Sequence, residues 1–270
     1  MKFETLAVSE SNGIAHIELN RPDKANAMNG QMWQELKAAF EWLATSKARV
    51  GVLSARGKNF TAGLDFELLM AVKTETADLP DGERQERLRE IISEMQAAIS
   101  AAELCSKPVL AAIHGACVGA GVDLVTACDM RYATQDAKFS VKEVDLAIVA
   151  DVGTLQRLPR LIGEGLAREL AYTGREFKGV EAHAMRLLNQ TFSDKESLIK
   201  TVMEIAGNIA RKSPQTIRGI KDTLNYSRDH TVAEGLAYVA AKNAQILFSA
   251  DLAEAIAANM QKRAPEFKDD

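Results

Sequence analysis

The segment over residues 107–133, KPVLAAIHGACVGAGVDLVTACDMRYA, constrains the fold more than any other stretch of the chain. The short apolar run Val109–Ile113 is typical of a buried strand. It leads into Gly115, Gly119 and Gly121 and then into an apolar segment of helical character. Glycine lets a ligand lie close to the backbone, and a helix N-terminus presents free N–H groups. The order predicts an anion or oxyanion site, although glycines that only permit tight helix–strand packing would give the same pattern.

Strand and helix patterns alternate before this segment. Ala15, Ile17 and Leu19 alternate with polar residues, which predicts a half-buried strand. Helical spacing of apolar residues predicts an amphipathic helix over 29–45, and the β-branched run over 49–54 predicts a second, buried strand. This alternation favours an α/β core.

The C-terminal residues show only helical patterns. Apolar stripes recur there at helical spacing, and Ser213 followed by Pro214 is the pattern of an N-cap with proline at the first helical position. We therefore predict an α/β core over residues 1–195 and a helical C-terminal part over residues 196–270.

Composition excludes several classes of function. The chain has 33 Lys+Arg against 37 Asp+Glu, a net charge of −4, which argues against nonspecific nucleic-acid binding. No apolar run approaches the roughly 18 residues needed to span a bilayer. The three cysteines and four histidines show no disulfide or metal-ligand spacing, so we expect no bound metal. The opening MKFETLAVSE lacks the pattern of a targeting leader, and we expect a cytoplasmic protein.

Another glycine turn, NFTAGLD over residues 59–65, follows the strand predicted over 49–54 and is the first of the two in the chain; the turn over residues 115–121 is the second. Alone it is an ordinary loop, and loops often carry functional sites. Two such turns after two strands could direct backbone N–H groups at one oxygen atom, but the spacing does not show that they converge.

Carboxylates are the candidates for proton transfer. Asp151 stands in the apolar run LAIVADVG, where burial would raise the pKa of its carboxyl. An equally good interpretation makes Asp151 the N-cap of a helix that begins near Thr154, and Asp123, just after the glycine turn, has the same ambiguity. Eight residues separate Glu143 from Asp151, so both can act on one small substrate only if the chain bends between them. His114, at the end of a buried strand, is expected to be a hydrogen-bonded structural residue.

Four segments together carry a resemblance to a known family. NRPDKANAM, NFTAGLDF, VLAAIHGACVGAGVDLVTACDMRYA and FSVKEVDLAIVADVGTLQRLPRLIG resemble, in order, the enoyl-CoA hydratase/isomerase family, also called the crotonase superfamily. The resemblance implies an α/β fold with a crotonase-like spiral of ββα turns and a helical C-terminal part that builds homotrimers, often stacked as homohexamers. It also implies an acyl-CoA thioester substrate. Coenzyme A would then be part of the substrate, and no separate cofactor is expected.

The resemblance also implies roles for individual residues. The thioester oxygen would be held by the backbone N–H groups of Leu64 and Ala120. The coenzyme A part would contact Lys24, Ala25 and Ala27, together with Ala62.

The acids resemble those of one group within the family, the Δ3,5-Δ2,4-dienoyl-CoA isomerases. Hydratases usually carry two glutamates, whereas this chain has Asp123 and Glu143, and it has Asp151 where many hydratases have glycine. In the isomerases the residues matching Glu143 and Asp151 transfer protons, and the one matching Asp123 supports the site. An enoyl-CoA hydratase and a non-catalytic acyl-CoA-binding subunit are the alternatives.

Overall fold

The computed structural model describes residues 2–268. Three residues lie outside the described range: Met1 of the predicted part over residues 1–195, and Asp269 and Asp270 of the predicted part over residues 196–270. Two sheets and eleven α-helices are found within the described range. None of these helices is long and apolar enough to span a membrane.

The strands form a six-stranded sheet and a three-stranded sheet. The six-stranded sheet has the order β1-β2-β3-β4-β6-β9; β1 and β2 are antiparallel and every other neighbouring pair is parallel. The small sheet has the order β5-β7-β8. The strands are β1 Leu6–Ser11, β2 Ile14–Leu19, β3 Val50–Ala55, β4 Val109–Ile113, β5 Ala116–Val118, β6 Met130–Thr134, β7 Lys138–Ser140, β8 Phe177–Lys178 and β9 Gln190–Phe192.

The helices connect these strands and then continue alone to the C-terminus. They are α1 Gly30–Thr45, α2 Phe66–Thr76, α3 Asp81–Leu104, α4 Ala120–Thr126, α5 Thr154–Ile162, α6 Glu164–Thr173, α7 Gly179–Ala184, α8 Lys195–Ala210, α9 Pro214–Arg228, α10 Val232–Ile246 and α11 Ala250–Met260. Ser213 accepts a hydrogen bond from Thr216 N, which confirms it as the N-cap of α9.

Both faces of β4 are buried in the interior of the six-stranded sheet, which explains why this strand is apolar at every position. Its residues 109, 111 and 113 face a core formed with α1 and α3, where Phe40 and Ile99 are fully buried. Leu110 and Ala112 face the opposite side, where they pack with Leu198 and other residues of α8. The predicted boundary at residue 195 therefore coincides with the start of a helix that completes the core.

In the chain, β5 follows β4 and leads into α4, and β7 follows β6 and precedes α5. The small sheet therefore lies next to the carboxyl ends of the large one. Thr61 pairs with Cys117 of β5, so the loop after β3 also joins this layer. These connections bring the two glycine turns and the segment from Glu143 to Asp151 together at one edge of the molecule.

Candidate active site

The first glycine turn is held close to the second by backbone contact. Gly63 has a φ of +91°, and a Cβ built on it would lie 2.7 Å from the carbonyl oxygen of Val118. Only glycine fits this conformation and this approach without strain. The same Cβ position lies 3.6 Å from the nitrogen of Ala120, so the peptide that precedes Leu64 is adjacent to the start of α4.

The N–H groups of Leu64 and Ala120 are both available to a ligand. Ala120 is the first residue of α4, where a helix leaves its N–H groups without internal partners. Within residues 2–268, neither of these two N–H groups donates a hydrogen bond. The structure therefore places the two predicted donors side by side, which the sequence spacing did not establish.

The Lys24–Ala27 loop packs against the first glycine turn. Ala25 and Asn26 have φ values of 49° and 55°, in the left-handed region that few non-glycine residues adopt. Ala62 N donates to Ala25 O at 3.0 Å, so this loop and the glycine turn form one surface. The side chain of Lys24 is exposed on that surface.

Two buried polar contacts fix this loop, and the sequence analysis missed both. The amide of Asn26 donates to the carbonyl oxygens of Arg56 and Asn59, each at 2.9 Å. Arg21 pairs with Asp65 at 2.8 Å, and Asp65 also caps α2 by accepting from Glu67 N at 3.0 Å. The position of Asp65 before a helical segment is an N-cap signal that could have identified it.

Asp123 is fully buried in α4. Its Oδ1 accepts a hydrogen bond from Thr154 N at 2.5 Å, while its Oδ2 has no partner among the described residues. Burial raises the pKa of Asp123 to about 6, and the nearby charge of Asp151 adds to the rise.

The bond to Thr154 corrects one interpretation of the sequence. Asp151 does not cap α5: the N-cap residue is Gly153, and the first N–H of that helix is bound by Asp123, 31 residues earlier in the chain.

Glu143 lies in a short 3-10 turn over residues 142–146 that ends at Ala147, whose φ is 56°. Ile148 N donates back to Glu143 O at 3.0 Å, which produces the predicted bend before Asp151. The carboxyl of Glu143 faces the second glycine turn, since a Cβ on Gly119 would lie 3.4 Å from Glu143 Oε1. Burial, followed by the charge of Asp123, raises the pKa of Glu143 to about 7.

Asp151 is half-buried at the end of the same segment, and Gln96 of α3 donates to its carbonyl oxygen at 2.7 Å. Burial raises the pKa of the Asp151 carboxyl. The charge of Asp151 in turn raises the pKa of both Asp123 and Glu143. The three predicted acids therefore form one electrostatically coupled group beside the two glycine turns.

Comparison with known proteins identifies the family of the chain. The family model described as enoyl-CoA hydratase/isomerase matches residues 9–270. The chain belongs to the enoyl-CoA hydratase/isomerase family. The predicted crotonase-like α/β fold is confirmed by solved structures, including an enoyl-CoA hydratase from Bacillus anthracis, with a TM-score of 0.88 and 29% identity over 98% of this chain and 99% of that one.

Two curated relatives are more similar in sequence. The peroxisomal Delta(3,5)-Delta(2,4)-dienoyl-CoA isomerase of Arabidopsis thaliana is 46% identical over 98% of this chain and 97% of its own. The mitochondrial Delta(3,5)-Delta(2,4)-dienoyl-CoA isomerase of Homo sapiens is 44% identical over 97% of this chain and 80% of its own.

A polar cavity of about 400 Å³ adjoins Asp151 in this member of the enoyl-CoA hydratase/isomerase family. Arg157 of α5 lines it and donates to Glu103 at 2.7 Å, and Arg228 of α9 pairs with the same carboxylate. The cavity therefore connects the acid group with a helix of the C-terminal part.

The remaining candidates have structural roles in this enoyl-CoA hydratase/isomerase chain. His114 is buried, and its Nε2 lies 3.0 Å from Gly57 O, as expected for a hydrogen-bonded structural histidine. The three cysteines, Cys105, Cys117 and Cys128, are buried and free, and burial raises the pKa of each thiol. Raised pKa values keep these thiols protonated and unreactive.

Proposed function

We propose that this protein is a Δ3,5-Δ2,4-dienoyl-CoA isomerase, which converts a 3,5-dienoyl-CoA into the conjugated 2,4-dienoyl-CoA. The observation that carries the proposal is the group of three coupled carboxyls, Asp123, Glu143 and Asp151, beside two free backbone N–H groups. The names of the relatives with 44–46% identity support the same activity.

The reaction needs two proton-transfer groups. A proton leaves C2, next to the thioester, and another is added at C6, several bonds away. One carboxyl cannot serve both carbons, whereas two carboxyls with different environments can act as base and acid. Addition of water across C2 and C3 has no evident task for a third acid, and this favours the isomerase over an enoyl-CoA hydratase.

We assign the base to Asp151 and the acid to Glu143. Asp151 lines a polar cavity, whereas Glu143 and Asp123 each have a buried carboxyl oxygen without a partner among the described residues, so Asp151 holds its charge more readily. About half of the Glu143 carboxyls keep their proton near neutral pH, because burial and the charge of Asp123 raise the pKa to about 7. A protonated carboxyl can supply the hydrogen that C6 requires.

The charge that develops on the thioester oxygen would be met by the N–H groups of Leu64 and Ala120. Removal of the C2 proton moves an electron pair onto that oxygen, and donors placed in advance stabilise the resulting enolate. Loss of one such donor in other enzymes costs roughly 3–4 kcal/mol in activation free energy. Both donors here are backbone groups, so side-chain substitution cannot remove them directly.

The coenzyme A part of the substrate would bind at the surface formed by Lys24, Ala25, Ala27 and Ala62. The exposed ammonium group of Lys24, which pairs with the exposed Glu67 at 3.4 Å, can meet a phosphate. The left-handed backbone at Ala25 lets its carbonyl accept from Ala62 N, which joins the loop to the glycine turn. Coenzyme A arrives with the substrate, so this proposal includes no separate cofactor.

An ultraviolet assay tests the activity. The purified protein should convert a 3,5-dienoyl-CoA into a product with the absorbance of a conjugated 2,4-diene. Asp151→Asn should reduce the rate by at least about 10²-fold, because a positioned base contributes that much. Asp145→Asn is the matched control, since Asp145 is exposed on the same segment and pairs with Lys142.

Three outcomes would contradict the assignment. Full activity of Asp151→Asn would show that Asp151 is not the base. Faster hydration of a 2-enoyl-CoA than isomerisation of the diene would identify an enoyl-CoA hydratase. Tight binding of acyl-CoA without turnover of either substrate would identify a non-catalytic binding subunit.

We further propose a homotrimer or homohexamer in the cytoplasm. Large apolar side chains of the C-terminal helices are exposed on the isolated chain, among them Leu224, Val232, Leu236 and Phe248. Large exposed apolar side chains of this kind are typical of subunit interfaces. The free buried thiols are consistent with a reducing compartment. Light scattering on the purified protein should give the mass of three or six chains, and a monomer would contradict the proposal.

A further inference from the structure

The proposed isomerisation leaves the two acids in exchanged protonation states, and this inference rests on that function. After one turnover Asp151 holds the proton removed from C2, and Glu143 has lost the proton that was added to C6. The substrate and product contain the same number of hydrogens, so before the next turnover Asp151 must lose a proton and Glu143 must gain one. The proton can pass between them through the protein or by exchange with solvent.

Three buried polar atoms without partners lie at this site. They are Asp123 Oδ2, Glu143 Oε2 and Thr154 Oγ1. Buried polar atoms in proteins are nearly always hydrogen-bonded, and exceptions call for an explanation. Only two other side-chain atoms in residues 2–268 share this condition, on His114 and Thr134, which lie outside the acid group.

The three groups are connected through Asp123. Thr154 binds Asp123 Oδ1 through its N–H at 2.5 Å, and its hydroxyl faces the same carboxyl without forming a hydrogen bond of good geometry. The charge of Asp123 also acts on Glu143, whose Oε1 lies 3.4 Å from the Cβ position of Gly119, the residue before α4. Thr154 and Asp123 are both completely buried, so bulk water does not contact these two side chains.

Asp151 is at the other end of the connection. It precedes Thr154 by three residues at the start of α5, and its charge acts on Asp123. Of the three acids, Asp123 is the one that Thr154 contacts directly, and its charge also acts on Glu143.

We propose that the hydroxyl of Thr154 and the carboxyl of Asp123 return the proton from Asp151 to Glu143 between turnovers. The O–H bond of Asp151 breaks as the hydroxyl oxygen of Thr154 accepts its proton, and the hydroxyl gives its own proton to Asp123. Asp123 then gives a proton to Glu143, which restores the starting state. No electrons are transferred, and no proton is gained or lost.

Rapid mixing of Asp123→Asn with the 3,5-diene tests the role of Asp123. Asparagine keeps an oxygen that can accept the Thr154 N–H bond, but it cannot carry a proton between acids. The first turnover should slow to some extent, because loss of the Asp123 charge lowers the pKa of Glu143. We still expect a burst of one product per site, followed by turnovers about 10²-fold slower than that burst. Equal slowing of the first and later turnovers would show that Asp123 only shapes the site. Unchanged steady-state turnover would show that the proton returns by another route.

Substitution of the hydroxyl gives an independent test. Thr154→Val keeps the backbone bond to Asp123 and removes the hydroxyl, so later turnovers should slow while the first does not. Thr154→Ser should restore wild-type turnover. Thr134→Val is the matched control, because Thr134 is a buried threonine whose hydroxyl also lacks a partner, away from the acids. Equal turnover by Thr154→Val and wild type would overturn the role of Thr154.

An isotope label distinguishes this route from exchange with solvent. With substrate deuterated at C2, the wild-type protein in ordinary water should place hydrogen at C6 in the first turnover and deuterium there in later turnovers. If C6 received hydrogen from solvent and no deuterium in every turnover, the proposal would be overturned. Absence of any isomerisation by the wild type would instead refute the proposed function, so the two failures are distinguishable.

Discussion

Replacement of Glu143 by glutamine should make the protein more stable at neutral and alkaline pH, although it removes the proposed acid. Burial and the charge of Asp123 raise the pKa of Glu143 from its ordinary value of 4.5 to about 7. At pH below 4.5 the carboxyl is protonated in both the folded and the unfolded state, so glutamine changes little. Above pH 7 the folded state must hold an unfavourable buried charge, whereas the unfolded state does not.

The size of the effect follows from the shift in pKa. Each unit corresponds to about 1.4 kcal/mol, so the native protein loses about 3 kcal/mol of stability between pH 4.5 and 7 through this group. Glutamine cannot ionise and avoids the loss. Urea denaturation of wild type and Glu143→Gln, at matched protein concentration from pH 4.5 to 8, should show a stability difference that grows in favour of the variant. In thermal unfolding this corresponds to about 5 °C for a chain of this length.

Glu35→Gln is the control, because Glu35 is also buried but has the opposite shift. Burial tends to raise its pKa, but hydrogen bonds from Glu4, Thr5 and Gln31 lower it below the ordinary value. Its charge therefore stabilises the fold above pH 4.5, and glutamine should destabilise the protein there. A difference for Glu143→Gln that is constant with pH, or that favours the wild type at pH 8, would refute the reasoning.

Three further predictions follow from the geometry of the site and of its supports. The value of kcat/KM should fall about tenfold per pH unit above about pH 7, as the acid Glu143 loses its proton, and should fall again at acidic pH, as the base Asp151 gains one. Gly63→Ala should reduce kcat by about 10²-fold or more, because the added Cβ would lie 2.7 Å from Val118 O and displace the adjacent N–H donors. Lys221→Met should lower the free energy of unfolding by about 3 kcal/mol, because the buried ammonium group donates three hydrogen bonds that join α9 to the core.

The two substitutions have control variants in the chain, and the pH profile has a contradicting outcome. A rate that rises through pH 7 would contradict the assignment of the acid. Gly82→Ala should leave kcat unchanged, because no atom lies within 4 Å of a Cβ at that position. The exposed Lys212, changed to Met, should alter the unfolding free energy by less than about 0.5 kcal/mol. Activity of Gly63→Ala equal to wild type would show that the two glycine turns do not need their close contact.

Local patterns in the sequence predicted the elements that are amphipathic or wholly buried. The alternation around Ile17 predicted β2, and the apolar runs predicted β3 and β4, because burial of one or both faces determines which residues those strands contain. The three short strands of the small sheet escaped prediction. They have two or three residues each, too few for a periodic pattern.

The chemistry of the site was only partly predictable from the sequence. Asp151 stood out in the sequence as a charged residue in an apolar run. Whether Asp151 could act on the same substrate as Glu143 depended on a bend between them, which the left-handed backbone at Ala147 provides. The partner of Asp123 could not be predicted, because the N–H of Thr154 comes from a different helix and is brought there by tertiary packing. The contact between the glycine turns likewise depends on the small sheet, which joins Thr61 to Cys117.

The packing of α8 on the large sheet limits how the gene can be shortened. A fragment that stops at residue 195 would leave Val52, Leu110 and Ala112 facing water, since their cover comes from Leu198 and Val202. Such a fragment should aggregate on expression, whereas one that retains residues 195–210 keeps both sides of the sheet covered.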